Sequence, residues 1–344
     1  YIGDIMKKGY IGAFILAAIT AVLIIFSKDA KAGALDGYKL CENVIVPSLL
    51  PILVLTNTIA SSKGAELFEN FLGKAVEKIF RLPKCCSTAI LFGMVGGYPA
   101  GAIMTKSLLE ENRISKSDAK RLMSFNICGG CAFIITAVGT ICRGSQKLGV
   151  ILYLSCVLSS IIIGTVEGLF AEMPVSQKAD EQQRLPLEEA LPSSVEKSIK
   201  AILTMGVYIV LFSAVTKIFD IPGWAAPFVE ITNGVCGRQI IPAEYCSFFL
   251  SFGGLCIHFQ IMGIMSEAKI SYISFFIHRV ASGVLSFCIT KLFLLIFPDI
   301  QNVFSTSSEV TSKMSMVNSG MSVVLILGCA VLILDIQNKK SKLI

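Results

Sequence analysis

Residues 87–110 read STAILFGMVGGYPAGAIMTKSLLE, an apolar segment interrupted at its centre by Gly96-Gly97-Tyr98-Pro99-Ala100-Gly101. Three glycines and a proline within six residues take helical hydrogen bonds out of the middle. Hydrocarbon does not tolerate such backbone groups unless protein or a water-filled cavity surrounds them. As one helix the segment is long enough to cross a bilayer, which takes about 20 residues, whereas each half is too short. It crosses once as a broken helix, or it enters and leaves on one side as a re-entrant hairpin. Charge favours the hairpin. Lys74, Lys78, Arg81 and Lys84 precede it and Lys106, Arg113, Lys116, Lys120 and Arg121 follow it, which reads as two cytoplasmic flanks.

The rest of the chain agrees with a membrane setting. Of 344 residues, 54% are hydrophobic and 16% charged, a balance foreign to soluble domains. Apolar runs of spanning length lie at 10–26, 42–60, 122–142, 146–170, 198–219, 273–297 and 319–335, with interrupted ones at 86–109 and 244–266. The sequence predicts an all-α polytopic membrane protein. Residues 1–35 read as a retained anchor helix, 36–170 as a first repeat with hairpin 86–109, and 171–197 as a polar cytoplasmic linker. Residues 198–297 form a second repeat with hairpin 244–266, and 298–344 a polar loop and last membrane helix. Residues 28–39 read as a loop, and residues 66–80 as an amphipathic helix on the membrane surface.

The net charge of +6 fits basic membrane flanks rather than a nucleic-acid surface, since no basic block carries interleaved aromatics. Most of the twelve cysteines fall in or at the ends of apolar runs, Cys142 among them, and read as packing residues. Cys128-Gly129-Gly130-Cys131 has redox or metal spacing, but it lies inside an apolar run without a second CxxC or a nearby histidine.

A repeat emerges on comparing the two interrupted segments. Cys86-Ser87 matches Cys246-Ser247, Phe92-Gly93 matches Phe252-Gly253, Tyr98 matches His258, Pro83 matches Pro242, and Arg121 matches Arg279, all at nearly constant separation. With both segments re-entrant, an odd number of crossings separates the repeats and inverts the second. Inverted repeats with discontinuous helices meeting near the midplane are a secondary-transporter architecture, so the two breaks are expected to line one polar cavity.

The residues Gly96-Gly97-Tyr98-Pro99-Ala100-Gly101-Ala102, Arg121-Leu122-Met123-Ser124-Phe125-Asn126 and Gly253-Gly254-Leu255-Cys256-Ile257-His258-Phe259-Gln260 resemble, in this order, three elements of the YlbJ-type sporulation integral membrane proteins. The likeness covers about residues 36–297. It implies a nucleoside-recognition (gate) domain fold, distantly similar to concentrative nucleoside transporters. It also implies transport of dipicolinate across the outer forespore membrane where the host sporulates. Two departures, Cys128-Gly129-Gly130-Cys131 after Asn126 and Ile103 after Gly101-Ala102, leave room for a changed substrate.

Candidate solute contacts follow from polar chemistry placed in apolar surroundings. His258 and Gln260 offer hydrogen bonds to a carboxylate or a heterocycle. Arg121 and Arg279 offer planar guanidinium forks. Tyr98 can stack on a ring, and Gly97, Pro99, Gly101 and Gly254 expose backbone. Ser124, Asn126, Glu230, Thr232 and Asn233 supply further donors and acceptors. The bland readings are a snorkelling Arg121, a hairpin tie at His258 and an interfacial turn at Glu230-Ile231-Thr232-Asn233-Gly234. No hydrolase, Walker or zinc signature is present, so no enzyme activity, metal or cofactor is expected. The expectation is a permease in the bacterial cell membrane for a small, anionic, carboxylated solute. A nucleoside-type carrier and a non-transporting spore-maturation protein are the alternatives. The partners are the bilayer and the solute. The coupling ion (H+ or Na+) and homo-oligomer formation stay open.

Overall fold

The computed structural model describes residues 13–14, 17–174, 184–237, 241–268 and 270–298, and these are helical and irregular with one isolated β-bridge, Ser62 to Leu185. Helix α1 runs Ser27–Ser61. A π-helical stretch, Cys41–Ile45, sits just ahead of Pro47, and Pro51 lies inside the helix. Wider turns there accommodate carbonyls that proline rings displace. Helix α2 (Gly64–Phe80) keeps Leu67 and Phe71 exposed while Gly73, Val76 and Phe80 are buried, as an amphipathic surface helix does. It stops at Arg81 in the left-handed region, φ 48°.

Helices α3 (Cys86–Gly96) and α4 (Tyr98–Glu110) join through the single residue Gly97, φ 96° and ψ −173°, a conformation that glycine alone reaches easily. Pro99 sits in the first turn of α4, where its missing N–H costs nothing. The two helices pack on each other, and Cys85 Sγ at the start lies 3.6 Å from the Arg113 carbonyl beyond the end. The segment is therefore a hairpin that leaves on the face where it enters.

Helix α5 (Lys116–Phe125) starts with a Ser115/Asp118 capping box. After the irregular residues 126–131, α6 (Ala132–Cys142) continues in π-helical form. Helix α7 (Gln146–Leu169) returns alongside it, and the backbones close in at Gly139 and Gly149, where a Cβ would lie 2.4 Å from the facing Cα. Helix α8 (Leu187–Ile218) packs along α1 through Gly33 and Gly37. Short helices α9 (Ala226–Val229) and α10 (Ile231–Cys236) precede α11 (Ala243–Phe252), α12 (Gly254–Ile264) and α13 (Tyr272–Ile296). Among the described residues, five helical stretches are long and apolar enough to cross a bilayer: α1, α7, α8, α11 with α12, and α13.

Contacts fix two faces. The hairpin base, α5 and the end of α7 meet at one, as Arg121 donates to the Phe80 and Arg81 carbonyls and Ser124 to Glu167. The end of α6 defines the other, where Arg143 donates to the Ile241 carbonyl at 2.7 Å and Cys142 is disulfide-bonded to Cys236. Helix α7 separates the faces by 24 residues, about 36 Å. Lys84, Lys106, Arg113, Lys116 and Arg121 all belong to the first, basic face.

Several expectations change. Residues 28–39 are helix, because α1 begins at Ser27. Residues 1–12 and 15–16 of the anchor 1–35 lie outside the described residues, as does the helix expected at 319–335. The linker 171–197 ends before Leu187, since the polar start of α8, with Glu188 and Glu189 in its first turn, is helix with acids at its positive end. The second interrupted segment does not fold back. Gly253 and Gly254, φ 94° and 63°, turn α12 away from α11, and the two pack on different neighbours. Ile241 at the start lies on the disulfide face, while Met265 and Ala268 at the end line a cleft with Lys106, Asn112 and Ser115 on the basic face. Residues 243–264 therefore cross as a broken helix. Residues 226–236 form the second dip instead: Pro227 packs on Gly234 and on Gly254, and Cys236 is back at Cys142. Arg121 and Arg279 enter from the same face, on α5 and α13, so the expected pairing of the two does not invert.

Candidate functional site

Two broken crossings, α5–α6 and α11–α12, meet at their breaks. The hairpin tip joins them, with the Gly97 backbone against Gly130 and the Tyr98 hydroxyl donating to the Leu250 carbonyl at 2.5 Å. Gly129 and Gly130 thus serve close backbone approach, while Cys128 and Cys131 remain free thiols. Asn126, fully buried, is wedged between the hairpin arms. Its amide donates to the Ala89 carbonyl at 2.9 Å, and a Cβ at Gly101 would lie 2.1 Å from its carbonyl oxygen.

Arg279 spans both breaks. It is 1% exposed and donates to the carbonyls of Ile127, of Ser124 at 2.5 Å and of Ser251 at 3.3 Å. Ser124 and Ser251 sit in the last turns of α5 and α11, where orphan carbonyls concentrate partial negative charge. The guanidinium fork thus bridges two half-helix C-termini. It also lies over the Phe275 ring at 5.7 Å.

The other central candidates are buried without forming a roomy pocket. His258 is bonded to the Phe252 carbonyl (3.0 Å) and the Tyr272 hydroxyl (3.3 Å) amid Phe252, Phe275 and Phe276. The Gln260 amide is buried with no hydrogen-bond partner among the described residues. Glu230 is fully buried and accepts from the Thr232 N–H at 2.9 Å. Thr232 lines, with Gly97, Tyr98, Pro99, Gly130 and Ile257, a void of about 20 Å³, room for a single water at most. The Asn233 side chain lies outside the described part. The breaks meet, but the expected polar cavity between them is closed by apolar packing.

The open polar space is on the basic face. A cleft of about 750 Å³ runs between the end of α1, α2, the hairpin and the start of α8, with Asn57, Glu69, Thr88, Arg113, Arg184 and Lys197 on its walls. Arg113 and Arg184 both donate to the Glu69 carboxylate, at 3.0 and 2.5 Å. Burial opposes the charge on Arg113, but Glu69, Cys85 and Glu111 together outweigh it and raise the pKa above the ordinary arginine value. The sequence did not single out this cluster, because Glu69 comes from helix α2 and Arg113 and Arg184 from two distant connecting segments. Arg121, a candidate solute contact in the sequence, holds the carbonyl end of α2, where a cation is favoured.

The chain is similar to the sporulation integral membrane protein YlbJ of Bacillus subtilis (strain 168), with 25% identity across 77% of this chain and 78% of that protein. No family model matches the sequence, and no solved structure matches it. With five helical stretches able to cross a bilayer and likeness to an integral membrane protein over most of both chains, this chain is an integral membrane protein.

Proposed function

We propose that the protein is a membrane carrier for a small carboxylated anion, working in sporulation as the name of its relative states for that protein. The observation that carries the reading is the meeting of two broken crossings at Arg279, beside the hairpin tip. Soluble proteins have no use for such breaks, and in transporters they mark the solute path. The cleft with Arg113 and Arg184 serves as the entrance from the cytoplasmic, basic face, and two forked cations there suit carboxylates. Gln260, Thr232 and the Tyr98 backbone lie further along the path.

Inverted repeats belong to the same proposal, in a register different from the Arg121–Arg279 match. Helices α5, α6 and α7 answer to α11, α12 and α13. Ser124-Phe125 then pairs with Ser251-Phe252, Ser155 with Ser282 and Ser159 with Ser286, all at one separation. The re-entrant hairpin α3–α4 answers to the dip of α9–α10. Nucleoside transporters share this kind of organisation by resemblance only.

Uptake of radiolabelled dipicolinate and of uridine into proteoliposomes tests the proposal. Dipicolinate is expected to enter, with uptake falling at least tenfold in Arg113→Gln and Arg184→Gln. Uridine entry without dipicolinate entry selects the nucleoside-type carrier. A non-transporting scaffold is the second reading, favoured by the closed packing around the small central void, and entry of neither solute selects it.

A further inference from the structure

A titratable pair lies one residue from the Arg279 bridge and takes no part in the solute path. His278 Nδ1 is 2.6 Å from the Ser274 carbonyl oxygen. A carbonyl only accepts, so Nδ1 carries a hydrogen. Nε2 of the same ring is 2.7 Å from Glu167 Oε1. A neutral ring with its hydrogen on Nδ1 presents a lone pair at Nε2, and an ionised carboxylate presents another. Two lone pairs do not sit face to face at that distance. The contact therefore contains one more proton, carried as imidazolium or as carboxylic acid.

That proton is connected to the breaks. The second Glu167 oxygen accepts from the Ser124 hydroxyl at 2.5 Å. The Ser124 carbonyl accepts from Arg279, the neighbour of His278. One proton thus ties the end of α7 to α13 and, through Ser124, to the end of α5. It is also within reach of water. Both side chains are about a quarter exposed, 26% and 23%, and Glu167 lines a cleft of about 700 Å³ on the basic face. The charged groups facing the pair are Asp118 and Arg121 from α5, Glu172 beyond α7, and Arg279 from α13. Arg121 and Arg279 oppose a further positive charge, whereas Asp118 and Glu172 favour it.

We propose that His278 and Glu167 together hold one exchangeable proton taken up from the basic face, and that this proton is the coupling ion of the carrier. The second half rests on the carrier function proposed above. A water-borne proton binds between Nε2 and Oε1 and closes the tie between α7 and α13. Its return to water leaves the two lone pairs opposed and opens the tie, freeing α13 with its Arg279 to move against α5.

Two measurements on the full chain separate the halves. In the first, histidine ring resonances are titrated by NMR in nanodiscs. The chain has two histidines, so His278→Gln assigns the His278 signal. Glu167→Gln is expected to move the His278 titration to lower pH by about a unit or more, and an unmoved titration overturns the shared proton. In the second, accumulation of radiolabelled dipicolinate is driven by an imposed pH gradient across proteoliposomes. His278→Gln and Glu167→Gln are expected to lose gradient-driven accumulation while retaining exchange of solute at equal pH. Gradient-driven accumulation persisting in both variants overturns the coupling role. A wild-type protein that neither accumulates nor exchanges dipicolinate removes the carrier reading and the coupling with it, while the NMR titration decides on the proton independently.

Discussion

Arg279 gives up hydration for main-chain oxygens, and hydrogen bonds to a charged group are worth about 1.5–3 kcal/mol each. Arg279→Ala leaves buried carbonyls without a donor at about 1–3 kcal/mol each and is expected to destabilise the protein by several times RT, seen as a lowered unfolding midpoint in detergent. Arg279→Lys should recover only part of this, because an ammonium cannot fork across two helix ends. An alanine variant as stable as the wild type would remove the bridge from the account. Arg279 was visible in the sequence as a cation inside an apolar run. Its partners were not, because carbonyl oxygens belong to every residue alike and only the breaks decide which are left unpaired. The same holds for Asn126, whose place between the hairpin arms depends on small Gly93 and Gly101 facing it. Glu167 and His278 drew no reading from the sequence, because nothing in residue spacing brings α7 to α13.

At the level of elements, the glycine of the hairpin turn separates conformation from contact. Gly97→Ala meets both a left-handed φ and the Gly130 nitrogen 3.0 Å from the new Cβ, whereas Gly144→Ala has φ 65° and open space. The conformational cost is about 1–3 kcal/mol at Gly97, whose positive φ comes with an extended ψ, and about 1–2 kcal/mol at Gly144, so with the added contact Gly97→Ala should lower stability by clearly more than Gly144→Ala in thermal unfolding. Equal effects would show that the tip is not packed. The first hairpin was legible because Gly-Gly-Tyr-Pro and basic flanks both act locally. The second interrupted segment misled because Gly253-Gly254 announces a break without its direction. That direction is set by what each half packs on, α13 and α7 for one and α4, α8 and α9 for the other. The dip at 226–236 was missed for the opposite reason, since its two helices are too short to leave a hydropathy signal.

For the whole molecule, charge and sulfur chemistry both support one proposed orientation. The face rich in Lys and Arg reads as cytoplasmic, and the Cys142–Cys236 bond lies on the other, where an oxidising compartment lets disulfides persist. Sequence reading took Cys142 for a packing residue, and a partner 94 residues away has no local signature. In intact cells a membrane-impermeant reductant is expected to open this bond, reported by a mass shift with a maleimide polymer. A Cys placed at Lys106 should be reached by impermeant maleimide only in inverted vesicles. Modification of both from the same side would reverse the assignment of faces. The bond also closes a covalent ring that contains α7, α8 and the dip. Backbone cleavage anywhere between Cys142 and Cys236 leaves a nicked protein that migrates as one species until reductant is added, so proteolytic maps of this chain are readable only on reducing gels.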